Sequence, residues 1–332
     1  MSQPETFVIV NYNAARARAA WSRVERALRD SNVRFDAHEA RQAGDAQSSA
    51  REALRAGYRT IAVVGGDGTL GEVVSGFFAL GEDERDSLAS IPAHVNAEAA
   101  LAVLPAGTGN DFARGLERGR ASLDEWLARL IKHSREHGSR ESEATTRTVD
   151  VLRGMVGEGA RPFFCLNAAT LGIGAEVAGR VAAQGDLVRG LPGEARFGFA
   201  ALAALARWRE RRVSIRVDEE AAFECATNLV AIANSPFAGG GMMFSPDARL
   251  DDGRLDVVTA CRLTRRSLMR EMTRIHSGGH VANSRVRINR GTRVRIEHLT
   301  RADALSVEAD GDVRGHTPLE FRVIPGALRV VV

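Results

Sequence analysis

"VVGGDGTLGEVVSGF", residues 63–77, decides how the first half of the chain folds. Two valines close an apolar run, Gly65 and Gly66 turn the chain, and a helix-forming stretch follows. Strand, glycine turn and helix in that order make a phosphate-binding α/β unit. The letters also spell G-x-G-x-x-G at Gly66, Gly68 and Gly71, yet Asp67 sets a negative charge inside a loop shaped for anions. A dinucleotide fingerprint needs an acid about 20 residues on, at the end of the next strand. The next strand ends near Pro105, and "DSLAS" (86–90) ends none, so that reading fails by context. A Walker-type loop needs G-K-[ST], and the only lysine, Lys132, follows no glycine-rich loop. A phosphate clamp here must therefore use backbone N–H groups, helix N-termini, arginine or a metal ion.

A second exit repeats the first. "ALAVLP" (100–105) reads as a strand and "AGTGND" (106–111) as a glycine turn opening a helix. In a parallel sheet both exits fall on the C-terminal edge, where ligands bind. Thr69 and Thr108 add hydroxyl donors, and Asp67 fits if Mg²⁺ arrives with the phosphates, because a carboxylate holds that cation or its waters. The competing reading is two tight turns with no ligand.

Outward from these loops, "FVIV" (7–10), "VRFDAHEA" (33–40) and "TIAVV" (60–64) read as strands alternating with helices at 14–29, 47–56 and 69–80. That is a parallel sheet covered on both faces. Past the polar stretch 133–147 the pattern becomes antiparallel, with "VDVLRGMV", "FFCLNAAT", "VSIRVD" and "NLVAIANS". "RVRINRGTRVRIEHL" (285–299) reads as a hairpin across Asn289-Arg290-Gly291, and "LEFRVIPGALRVVV" as two short strands. The expected division is 1–147, completed by the last strands near 318–332, and a β-rich 148–317.

Hydrophobic residues at 44% support real cores, while a net charge of +3 and 5% aromatics argue against a nucleic-acid platform. Cys165, Cys225 and Cys261 are distant and odd in number, without C-x-x-C spacing, so structural zinc is not expected and reduced thiols in a cytosol are. "MSQPETF" shows no signal peptide, and the longest apolar run, 197–206, is too short to span a bilayer and reads as a core helix. From Arg262 to Arg301 eleven arginines stand against Glu271 and Glu297. Either this is a solvated sheet face or it is a surface for anionic headgroups.

At this point the chain resembles the diacylglycerol-kinase catalytic domain of bacterial lipid kinases, a group that includes sphingosine and ceramide kinases. "VIVNYNAA" (8–15), the 63–77 stretch, "LAVLPAGTGNDFARGL" (101–116), "GGGMMFSPDARLDDGRLDVV" (239–258) and "VEADGD" (307–312) carry the resemblance, which runs over essentially the whole chain. It implies an α/β domain with an NAD-kinase-like parallel sheet, an antiparallel β-sandwich domain, and ATP in the cleft. By position, Asn11, Gly65, Gly66, Asp67, Gly68, Thr69, Leu70, Gly71, Gly107, Thr108 and Asn110 would bind nucleotide. Asp67 and Asp111 would organise the catalytic Mg²⁺ network, with Asp150 more distant. The carbonyls of Arg249 and Arg254 and the carboxylate of Asp252 would form a structural Mg²⁺ site; the plainer reading is a β-turn. Asp312 stands where the family has its proton-accepting glutamate, one methylene shorter. Tyr12, Ala40 and Gly71 replace a usual proline, threonine and asparagine.

The resemblance implies an ATP- and Mg²⁺-dependent lipid kinase, peripherally attached to the cytoplasmic membrane face, with homodimerisation open. Diacylglycerol, sphingoid base, ceramide and phosphatidylglycerol all stay open as acceptors. An NAD kinase shares GGDGT, and a weakly catalytic nucleotide or lipid binder is the third reading.

Overall fold

Thr6–Asn11 (β1), Phe35–Ala40 (β2), Thr60–Gly65 (β3) and Ala100–Pro105 (β4) pair in parallel in the order β2-β1-β3-β4. We describe them from a computed structural model that describes residues 4–79, 88, 90–136, 144–176 and 208–332. Registers such as Asn11↔Ala40 and Gly65↔Pro105 align the strand ends. Every residue of β3 is buried, as a strand covered on both faces requires. The helices α1 (Ala15–Asp30), α2 (Asp45–Arg55), α3 (Asp67–Phe77), α4 (Asp111–Glu117) and α5 (Leu123–Glu136) occupy the connections. In α1 the buried positions Ala17, Val24 and Leu28 follow helical spacing in a stretch rich in good helix formers. At Gly76 of α3 a Cβ would lie 2.7 Å from the Gln47 carbonyl oxygen, so glycine lets α2 and α3 approach closely.

Two units emerge: 1–151 with 250–252 and 324–332, and 152–249 with 253–323. Thr146–Val156 (β5) and the last strand pass from one to the other. The C-terminal segment, expected as two short strands, is one 13-residue strand, Leu319–Val331. Its end joins the first unit's sheet parallel to β4, with Arg329↔Ala100. Gly326 carries the chain through at φ +58, so the proline-glycine pair does not break it.

The second unit is antiparallel. Its strands are Phe163–Cys165 (β6), Ala168–Gly172 (β7), Arg211–Val217 (β8), Phe223–Ala233 (β9), Leu255–Cys261 (β10), Val286–Gly291 (β11), Arg293–His298 (β12), Ser306–Ala309 (β13) and Asp312–His316 (β14), before Leu319–Val331 (β15). β9 has a register shift between Thr227 and Leu229, pairs β8 with its first half and β7 with its second, and meets β10 on its other side. Residues from nearly all these strands share one apolar core.

Two expectations are corrected here. β11 pairs β10 while β12 pairs β8 and β15, so 285–299 is a corner rather than a hairpin. Asp218 fixes that corner by accepting the N–H groups of Thr292 and Arg293 at 2.8 and 2.9 Å. Cys225 and Cys261 are joined in a disulfide, because β9 and β10 are neighbours despite 36 residues of separation; Cys165 is free and buried. The apolar run 197–206 lies outside the described residues.

Candidate active site

Parallel pairing brings Asn11, Ala40, Gly65 and Pro105 to one edge of the first unit's sheet. α3 begins at Asp67, so only Gly65 and Gly66 form the turn; Gly68, Thr69, Leu70 and Gly71 are already helical. The first N–H groups of such a helix have no intrahelical acceptor and favour an anion. Leu70 is 2% exposed and belongs to the core.

Asp67 ties the two loops together. Its Oδ2 accepts the Asp111 N–H at 3.0 Å and its Oδ1 the Phe112 N–H at 2.9 Å, at the N-terminus of α4. The acid thereby neutralises the positive end of one helix while starting another. A Cβ on Gly107 would stand 2.5 Å from the Gly66 Cα, so both residues must be glycine for the loops to touch. Asn110 adopts left-handed backbone, and its Oδ1 accepts the Gly107 N–H at 2.8 Å. Asn11 donates to the Thr69 hydroxyl at 2.8 Å, and its Oδ1 accepts the N–H groups of Asn13 and Ala14. Gly68 and Gly71 differ from these: a Cβ at either would meet nothing within 4 Å, which leaves backbone open to a ligand. Thr108 is exposed. Asp111 is buried, 3.7 Å from the Arg114 guanidinium.

Sequence reasoning missed Arg16. Its guanidinium reaches the Gly107 carbonyl at 3.3 Å, at the edge where the glycine loops lie. Its position five residues past the Asn11 strand end was the available signal. The arginines Arg18 and Arg41 stack on Tyr12 at 5.8 and 4.6 Å from the ring centroid, so the residue in the usual proline position gathers cations.

Asp150 is buried and accepts the Gly326 N–H at 2.7 Å, an assignment that serves the fold. Arg249, Asp252 and Arg254 flank a turn before β10, where Asp251 pairs with Arg147 at 2.7 Å. The oxygens there and the carboxylates of Asp67 and Asp111 are hard donors of the kind Mg²⁺ takes. No cluster of three His, Cys, Asp or Glu suited to a metal occurs among the described residues.

In the second unit, Asp310-Gly311 is a turn with φ of +49° and +97° leading into β14. Asp310 accepts the N–H groups of Leu166 and Asn167 at 2.6 and 2.9 Å. Asp312 is 69% exposed and pairs with Arg314 at 3.2 Å. Glu308, which sequence reasoning passed over, accepts the Thr170 hydroxyl at 2.7 Å and the Gly311 N–H. Burial and the nearby Asp310 and Asp312 push its carboxyl up to about 7, against the pull of those two hydrogen bonds. Burial, reinforced by the Asp310 and Glu308 charges, also raises the Cys165 thiol.

Residues 5–139 match the diacylglycerol kinase catalytic domain, and residues 169–332 match the YegS C-terminal NAD kinase beta sandwich-like domain. A probable lipid kinase YegS-like from Pseudomonas aeruginosa is 33% identical over 293 residues, covering 86% of this chain and 81% of that protein. A diacylglycerol kinase from Mycobacterium tuberculosis is 29% identical, covering 87% and 82%. The chain belongs to the diacylglycerol-kinase-like, YegS-like family of bacterial lipid kinases. Among solved structures, a putative diacylglycerol kinase from Bacillus anthracis shares the fold at a TM-score of 0.70 and 20% identity, over 99% of this chain and 96% of that one. Yeast NADH kinase is more distant, at 0.51 and 12% over 100% and 84%. The fold is thus an N-terminal α/β domain with a C-terminal antiparallel β-sandwich.

Proposed function

We propose that the chain transfers the γ-phosphoryl group of ATP, with Mg²⁺, to the hydroxyl of a membrane lipid. The observation that carries this reading is Asp67, which binds the two glycine exits into one amide-lined edge beside open backbone at Gly68 and Gly71. The first unit supplies nucleotide binding: the amides at the start of α3 and Arg16 meet the phosphates, and Asn11 and Asn110 hold the loops in shape. Asp67 and Asp111 would hold the cation, which when bound spreads the charge on the phosphates. The second unit supplies the base and the lipid acceptor. The lipid oxygen forms a bond to the γ-phosphorus as the bond from that phosphorus to the β–γ bridging oxygen breaks. The hydroxyl proton passes to Asp312, and ADP leaves. Because the transition state is loose, the base mainly orients the hydroxyl, so the shorter aspartate serves.

Replacing Asp312 by asparagine tests this. The turnover number is expected to fall at least about a hundredfold, with ATP affinity within a few-fold of wild type; Asp312→Glu retains turnover. An asparagine variant turning over at the wild-type rate overturns the role given to Asp312.

Attachment to an anionic membrane surface is part of the same proposal, and exposed arginines on one helix support it. Three of the four arginines on β11 and β12 are paired, Arg290 with Asp256, Arg293 with Glu320 and Arg295 with Glu297, at 2.9, 2.8 and 2.7 Å, while Arg287 of β11 is exposed. On the helix Arg265–Arg274 (α6), Arg265, Arg266 and Arg270 are exposed beside Met269, itself 50% exposed, and have no acidic partner among the described residues. Each such cation near an anionic surface contributes about 1 kcal/mol. No helix among the described residues is long and apolar enough to cross a membrane.

A further inference from the structure

Asp310 and Gly311, both at positive φ, form the two-residue turn between β13 and β14, a place where Asp-Gly is favoured. Side chains tie this turn to the neighbouring strands. The Asp310 carboxylate accepts the N–H groups of Leu166 and Asn167. Glu308, in the strand that leads into the turn, grips the Gly311 N–H with one oxygen and the Thr170 hydroxyl of β7 with the other. The residue that follows the turn is Asp312.

We propose that Glu308 is a positioning residue: through those two hydrogen bonds it locks the Asp310-Gly311 turn and so aims Asp312 at the acceptor hydroxyl. The inference rests on the reading of Asp312 as the base. It adds a condition on that base, namely that Glu308 be ionised. A carboxylate accepts both donors; in a carboxylic acid one oxygen carries a proton, which of the two partners only the Thr170 hydroxyl can accept, and the bond to Gly311 loses its charge-assisted strength. The charged groups facing Glu308 are Asp310 and Asp312 on its own segment; Arg314, from β14, and the Cys165 thiol at the end of β6 lie in the same neighbourhood. With its carboxyl raised to about 7, Glu308 loses its charge within the physiological range as pH falls.

The test has two readouts on the full chain. The first is the amide resonance of Gly311 in glycine-labelled protein, followed from pH 5 to 9. It is expected to titrate near 7 in wild type and to stay flat in Glu308→Gln, which keeps the shape and lacks the charge. The second is turnover with ATP and a lipid acceptor. Wild type is expected to lose activity as pH falls through about 7, whereas Glu308→Gln runs at a lower, pH-independent level over that range. Thr170→Val removes a donor that favours the charged form, so its acid limb is expected to move to higher pH. The proposal is overturned if the Gly311 resonance does not titrate, or if Glu308→Gln keeps the wild-type acid limb, or if the Thr170→Val profile superimposes on wild type. A titrating Gly311 in a protein that phosphorylates no lipid refutes the kinase reading and leaves the local lock in place.

Discussion

Gly107 and Gly71 read alike in the sequence, and the structure separates them. A Cβ at Gly107 collides with the Gly66 Cα at 2.5 Å and with the Asn110 Oδ1 at 2.8 Å, so Gly107→Ala should destabilise the first unit by about 1–3 kcal/mol, seen as a lower Tm. Gly71 lies within α3 with empty space before it, so Gly71→Ala should raise stability by about 0.5–1 kcal/mol while weakening ATP binding. Calorimetry together with ATP titration checks both. At Glu308 the sign of the pH dependence is fixed by the direction of its shift. An acid whose folded value, about 7, lies above its ordinary 4.5 contributes stability below the lower figure and loses that contribution as pH rises through the higher. The stability of Glu308→Gln relative to wild type should therefore grow between pH 5 and 8, on the order of 2 kcal/mol by denaturant titration. At this scale the sequence exposed the oddity of Asp67 and hid its use. The amides it accepts lie 44 and 45 residues away, and no local pattern announces a side chain turned on a distant helix. Glu308 was hidden for the same reason, its partner Thr170 being 138 positions earlier.

Secondary elements were the most legible level in the first half and the least in the second. A parallel sheet buried on both faces writes itself as apolar runs such as Ile61–Val64, and helices must alternate with it. Antiparallel strands announce their period but not their partners. β11 and β12 alternate correctly and yet turn a corner at Thr292, and Cys225 meets Cys261 only because β9 lies beside β10. The arginine-rich stretch shows the same limit, since composition counts charges and only packing shows which are already paired. Charge reversal of Arg265, Arg266 and Arg270 on α6 should abolish co-sedimentation with anionic vesicles at low salt. Reversal of Arg293 and Arg295 should weaken it far less. For wild type, binding should fall steeply with added salt; equal losses from the helix and strand variants would move the contact surface off α6.

For the whole molecule, the two family matches cover the α/β region and the β-sandwich region in sequence order. The glycine exits point to phosphate chemistry in the first because phosphate binding leaves few backbone solutions. The acceptor stayed unreadable because an apolar lipid is bound by surface shape, which many sequences provide. A direct measurement separates the lipid kinase from an NAD kinase built on a related fold. The protein is incubated with γ-labelled ATP, Mg²⁺, NAD⁺ and mixed micelles carrying diacylglycerol, sphingoid base, ceramide or phosphatidylglycerol, and the label is followed into the lipid and aqueous phases. The expected result is label in at least one lipid, lost in Asp67→Asn, with none in NAD⁺. Label in NAD⁺ with every lipid blank would contradict the account.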